Sequence, residues 1–181
     1  MVTSIVQDNK AQLWMCNATN TLYLYAKNNW KTYTYPDESI QFSELFNTEN
    51  NLLISANKGV FILQKNGIKQ LLQIENGVKK VILDARNQLW VLPNQGSVKV
   101  YDFTTLLPKE NWILNTDKYW NENQFNDIAI AKNGTVWLAS WMPKDYGISY
   151  FDFKKNRFSE ISQLKTFKNE TSFITDYYNR I

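Results

Sequence analysis

The 181-residue chain contains no histidine and a single cysteine, Cys16. Without histidine there is no imidazole base, no His-containing triad and no His metal ligand. One cysteine excludes an intramolecular disulfide and a Cys-rich zinc site. Glycine (6) and proline (4) are scarce, and no Gly-rich loop is present to cradle a phosphate. Asp and Glu do not cluster at calcium-loop spacing, so no cofactor or metal is expected. No run of about 18 apolar residues exists, so no membrane contact is expected of this region. Met1–Lys10 has neither the charged start nor the apolar stretch of a secretory leader. The 20 Lys+Arg and 17 Asp+Glu leave a formal charge of +3, and the basic residues are scattered. Their longest runs are the pairs Lys79-Lys80 and Lys154-Lys155, which argues against a nucleic-acid partner.

What is abundant is aromatic and amide. The chain has 7 Trp, 10 Tyr, 10 Phe and 22 Asn, with 44% hydrophobic and 20% charged residues. This is the balance of a folded globular protein, of one domain or two, rich in strands and Asn turns. A repeat organises it. Ile5-Val6-Gln7-Asp8-Asn9-Lys10-Ala11-Gln12-Leu13-Trp14 matches Val81-Ile82-Leu83-Asp84-Ala85-Arg86-Asn87-Gln88-Leu89-Trp90, and a third copy runs from Ile128 through Trp137. A degenerate copy runs from Leu45 to Ile54. Aligned on the aspartate, the copies fall at Asp8, Asn47, Asp84, Ala131 and Asp176. The period is about 40 residues, that of a four-stranded propeller blade.

Each repeat reads as an antiparallel meander. The first places strands near residues 2–8, 13–18, 21–26 and 30–35, separated by Asn- and Lys-containing turns. Third strands recur at Gly59–Leu63, Val98–Asp102 and Ile148–Asp152. No amphipathic helix is evident, although residues 104–112 have room for one helical turn. The expected fold is therefore all-β: about four propeller blades plus the first strand of a fifth, a fragment of a larger propeller. The repeats span residues 2–39, 40–77, 78–124 and 125–171 of a single propeller region, with 172–181 opening another. Trp14, Trp90 and Trp137 are expected to fill the wedge between sheets, and Asp8, Asp84 and Asp176 to cap the following turn.

The pattern Ile-x-x-Asp-x-x-x-x-Leu-Trp, followed by an aromatic third strand, resembles the two-component regulator propeller repeat. The chain departs from it in having Leu53 for Trp, Ala131 for Asp and few turn glycines. That repeat builds periplasmic sensor domains of hybrid histidine kinases in Bacteroidetes, many of them carbohydrate-responsive. The resemblance implies a periplasmic, non-catalytic ligand-sensing region. A protein-binding scaffold and a propeller lyase or glycosidase remain as alternatives. The open ends invite the remaining blades of a longer chain, or self-association.

Longer spacing around the fourth repeat locates the candidate site. Two of its loops, Asn115–Gln124 and Ser140–Tyr146, are expected on one face of the blade. They carry Tyr119, Trp120, Trp141, Lys144, Asp145 and Tyr146. Aromatic faces beside hydrogen-bonding groups suit an oligosaccharide or sugar; the competing reading is that these aromatics cover the blade rim. The carboxylate pairs Asp117/Glu122 and Glu44/Glu49 are better read as solvated loop charges.

Overall fold

The computed structural model describes residues 1–48, 50–109, 125–140, 148–155 and 157–160. Among them are fifteen strands and no helix. The strands form four antiparallel sheets, each strand paired with its sequence neighbour. The first sheet comprises β1 (Val2–Gln7), β2 (Leu13–Asn17), β3 (Thr21–Ala26) and β4 (Asn29–Thr34). The second comprises β5 (Phe42–Asn47), β6 (Leu52–Ala56), β7 (Gly59–Gln64) and β8 (Gly67–Gln73). In the third, β9 (Val78–Leu83), β10 (Gln88–Pro93) and β11 (Lys99–Asp102) are joined by an isolated bridge from Tyr101 to Pro108. The fourth holds β12 (Phe125–Ile130), β13 (Val136–Ser140), β14 (Ile148–Asp152) and β15 (Arg157–Glu160). These are propeller blades. The chain divides into two compact units, residues 1–81 and residues 82 onward.

The turn between the first two strands of a blade is built around one carboxylate. Asp8 Oδ1 accepts the amides of Lys10 and Gln12, both at 2.9 Å, while Oδ2 accepts the Trp14 indole N–H at 3.0 Å. Asp84 repeats the arrangement with the amides of Arg86 (2.8 Å) and Gln88 (2.9 Å) and the indole of Trp90 (3.0 Å). The expected cap is therefore present, and the free oxygen of the same group aims the tryptophan. Each turn also requires a left-handed residue three positions after the aspartate. Asn87 (φ 61) and, in the fourth blade, Gly134 (φ 80) suit it; Ala11 (φ 58) does not.

The second blade differs from the sequence alignment. Asn47 pairs with Leu52, as Gln7 pairs with Leu13, so Asn47 sits one place before the capping position. Thr48 occupies that position. Its Oγ1 accepts the amides of Asn50 and Asn51, and its own amide donates to Asn51 across a turn one residue shorter. The deletion leaves the strand pattern unaltered, which is why it escaped the alignment. Two-residue hairpins close other strand pairs: Lys27 and Asn28 both take positive φ (49 and 60), the geometry that matches strand twist. Gly59 (φ 137) is obligatory, since a Cβ there would lie 1.9 Å from the Leu72 carbonyl oxygen.

In the first unit the core lies between the first two sheets. Trp14, Cys16 and Leu22 meet Ile40, Phe42, Leu45, Ile54 and Phe61. Tyr33 stands 5.7 Å from Trp14, and Phe42 meets Phe61 edge-on at 5.7 Å. In the second unit Trp90 is fully buried and meets Phe151 edge-on at 4.9 Å. Phe153 lies beside them, with the Arg86 guanidinium 3.8 Å above its ring. The third strands of the last two blades end in matching caps. Asp102 accepts the amides of Thr104 and Thr105, and Asp152 those of Lys154 and Lys155. The Thr105 amide foremost holds the Asp102 carboxyl below the usual carboxylate range.

Trp14, Trp90 and Trp137 do occupy one register position: each second-strand Trp is flanked by an aliphatic or aromatic partner in the third strand, Leu24, Val100 and Tyr150 respectively. Their burial is graded. Trp14 is 8% and Trp90 0% exposed, whereas Trp137 is half-buried. At Ala131 its blade offers no carboxylate to receive the indole, and Trp137 leans instead on Tyr150, at 5.8 Å.

Replacing Trp90 with Ala should cost about 3–5 kcal/mol in urea unfolding, since the cavity opens between packed aromatics. Asp84→Ala should cost about 2–4 kcal/mol, because it strands a buried indole N–H and two amides. Ala11→Gly should instead stabilise by roughly 0.5–1 kcal/mol, by relieving a left-handed alanine at an exposed turn.

Candidate functional site

The sequence-predicted loop residues Tyr119, Trp120, Trp141, Lys144, Asp145 and Tyr146 lie outside the described residues, as does Asp176. Their stems are described. Phe125 pairs with Ser140, and Ala139 with Ile148, so the chain enters β12, leaves β13 and re-enters β14 at one end of the fourth sheet. The two loops are therefore anchored side by side. Of the considered carboxylate pairs, Glu44 is held by Lys80 at 3.4 Å, as a structural ion pair would be.

Among the described residues a second candidate emerges that the sequence reading did not single out. It is the outer face of the first sheet. Register puts Ile5, Met15 and Tyr23 in one row, and Leu13, Tyr25 and Trp30 in the next. All point away from the Trp14 side, because neighbours along a strand alternate faces. Trp30 is 61%, Ile5 58% and Leu13 37% exposed. Trp30 leans on Tyr25 with ring centroids 5.0 Å apart, and Tyr25 donates its hydroxyl hydrogen to Asn28. At one end, Met1, Val2, Met15, Asn17, Tyr23 and Trp30 line an open hollow of about 320 Å³. Its polar contribution is the contact of Asn17 Nδ2 with the Tyr23 hydroxyl, at 3.4 Å.

No ionisable carboxyl or amino side chain lines the hollow. Cys16 lies on the opposite side of the sheet, fully buried, and burial pushes its thiol upward, away from a reactive thiolate. No group of three or more His, Cys, Asp or Glu is placed to hold a metal ion among the described residues. Among the same residues, no helix is long and apolar enough to cross a membrane. The signal that would have exposed this face was period-two alternation in β1 to β4. Alternation tells which residues share a face, but not whether a neighbour covers it.

No protein-family model and no curated protein matches the sequence. Solved structures do. The chain is similar to the extracellular domain of a protein described as a hybrid two-component system from B. thetaiotaomicron, at 18% identity and a TM-score of 0.69, over 98% of this chain and 24% of that one. A second such domain from the same organism matches at 14% identity and a TM-score of 0.70, over 94% of this chain and 26% of that one. Virginiamycin B lyase from Staphylococcus aureus matches at 12% identity and a TM-score of 0.66, over 88% of this chain and 55% of the lyase. The chain thus spans about a quarter of the length of the two-component ectodomains. At these identities the likeness shows the fold: consecutive propeller blades of the kind found in the extracellular domains of two-component systems.

Proposed function

We propose that the chain is a non-catalytic ligand-sensing propeller region, acting within the extracytoplasmic sensor of a hybrid two-component regulator and responding to a carbohydrate. The observation that carries the reading is the likeness of nearly the whole chain to two such extracellular domains, reached through blades that repeat the Asp–Trp turn. A periplasmic location follows from the same reading. So do the repeat boundaries at residues 2–39, 40–77, 78–124 and 125–171, with a further repeat from 172. The sugar would sit on the adjoining loops of the fourth repeat. There Tyr119, Trp120, Trp141 and Tyr146 offer ring faces for stacking, and Lys144 and Asp145 offer hydrogen bonds to hydroxyls.

A second reading, a protein-binding scaffold, is favoured by the exposed apolar face of the first sheet. The enzyme reading draws on the lyase likeness alone, which extends to the fold and no further.

Calorimetric titration of the 181-residue chain with a panel of plant and host oligosaccharides tests the sensing reading. Saturable binding by one structural class is expected, weakened by about tenfold or more in Trp120→Ala and Trp141→Ala, as loss of a stacking face implies. Chromatography of the same mixtures should recover each sugar intact. Absence of binding across the panel, or cleavage of a panel member, would overturn it.

A further inference from the structure

Two identical tripeptides sit in different turns of the chain. Lys65-Asn66-Gly67 closes the β7–β8 hairpin, and Lys132-Asn133-Gly134 lies in the turn between β12 and β13. Glu75-Asn76-Gly77, just before β9, holds the third Asn-Gly pair. Asparagine is a thermolabile residue, because the next backbone nitrogen stands within reach of its side-chain carbonyl. A glycine in that next position leaves the nitrogen unshielded by a side chain. Local sequence therefore makes Asn66 and Asn133 equally reactive, and both are exposed. The folded turns separate them.

At Asn133 both reacting groups are engaged. Its Oδ1 accepts the Thr135 amide at 3.0 Å, and the Gly134 amide donates to the Ala131 carbonyl at 2.8 Å. Arg86 Nη1 donates to the Gly134 carbonyl at 3.4 Å, which ties that peptide to the β9–β10 turn as well. At Asn76 the Gly77 amide donates to the Ile74 carbonyl at 3.0 Å and Gly77 is buried. The neighbouring Glu75 carboxylate also disfavours a negatively charged nitrogen there. Asn66 is different. Its side chain makes no hydrogen bond among the described residues. The space beside Gly67 is open, since a Cβ built there would meet nothing within 4 Å. Gly67 pairs with Gln64 at the very end of the hairpin, so fraying of one pair frees its amide and leaves the rest of β8 in place.

We propose that Asn66 is a spontaneous modification site, converted to aspartate and isoaspartate in the folded protein, and that the fold protects Asn133 and Asn76. The Gly67 nitrogen loses its proton to hydroxide and attacks Asn66 Cγ. The N–Cγ bond forms, the Cγ–Nδ2 bond breaks, and Nδ2 takes up a proton and leaves as ammonia. The cyclic imide then adds one water at either carbonyl. One product is aspartate; the other is isoaspartate, in which the main chain runs through Cβ. Both place a new carboxylate beside Lys65 and lower the formal charge of +3 by one. The isoaspartyl form also lengthens the link between Gln64 and Gly67, which sets the outer strand β8 against β7. The inference is independent of the sugar: it concerns the second blade, whatever the loops of the fourth bind.

Peptide mapping by mass spectrometry of the 181-residue chain, aged at physiological temperature and mildly alkaline pH, is the test. Asn66 should convert to a mixture of aspartate and isoaspartate, with Asn133 and Asn76 slower by about tenfold or more. The Asn66 rate should rise by about tenfold per pH unit, because the attacking nitrogen must be deprotonated. An isoaspartyl-specific methyltransferase should label the aged chain and leave Asn66→Gln at background, with the circular dichroism spectrum of that variant unchanged. In urea, where the turns are lost, Asn66 and Asn133 should react at matching rates, since each stands in the same Lys-Asn-Gly sequence. Asn133 keeping pace with Asn66 in the folded chain would overturn the proposal. So would an Asn66 that stays intact when folded yet reacts in urea, the outcome expected if pairing with Gln64 seals the Gly67 amide.

Discussion

In two of the four blades the packing depends on a carboxylate whose two oxygens do different work. One oxygen of Asp84 gathers the amides of Arg86 and Gln88 and so fixes a tight turn; the other holds the indole of Trp90. The first contact sets the register of β9 against β10. The second sets the direction of a large side chain that would otherwise sample several rotamers. With both made, Trp90 projects from its own sheet at a fixed height and meets Phe151 and Phe153. Local turn chemistry thereby becomes packing between sheets. Asp8 and Trp14 repeat the device with the same donors in turn, although Trp14 enters a different set of neighbours.

The two blades without the aspartate show what it contributes. In the second, Thr48 supplies the turn with its hydroxyl, but there is no indole to orient. Leu53 stands in the Trp position, and β6 is buried along its whole length. In the fourth, Ala131 leaves the turn to backbone bonds and to Asn133, whose side chain accepts the Thr135 amide. Here the tryptophan is retained without its acceptor, and it is the least buried of the three. The clamp and the burial go together. One blade here lacks the carboxylate and another lacks both members, and their sheet contacts rest on shape alone.

Much of this was legible in the residues, and the exceptions have physical causes. Strand limits in the first blade agree with the alternation to within a residue or so, since turn Asn and Lys interrupt a clear period of two. The Trp register was legible because Asp and Trp recur six apart. The capping role of Thr48 was not, because a shortened turn changes spacing without changing hydrophobic pattern. Trp30 lies one residue inside the fourth strand, where the pattern places that strand's start, yet its prominence on an exposed face needed the neighbouring sheet to be located first. Of the candidate sugar site, the structure reaches the paired stems at Phe125, Ser140 and Ile148.

The aromatic content that first drew attention therefore divides by position. Aromatics within strands are allotted by register: Trp14, Trp90 and Phe61 are buried between sheets, and Tyr25 and Trp30 lie on a face of the same construction. Such residues are committed to stacking sheet on sheet, and a sugar bound there would compete with the assembly of the fold. Tyr119, Trp120, Trp141 and Tyr146 lie outside the described residues, and their proposed sugar contacts rest on the sequence and on the stems of their loops. Under the proposed reading, a ligand held at those loops would leave the packing between sheets in place. Coupling between ligand and blades would then pass through the loop stems, where Phe125, Ser140, Ala139 and Ile148 meet at one end of a single sheet.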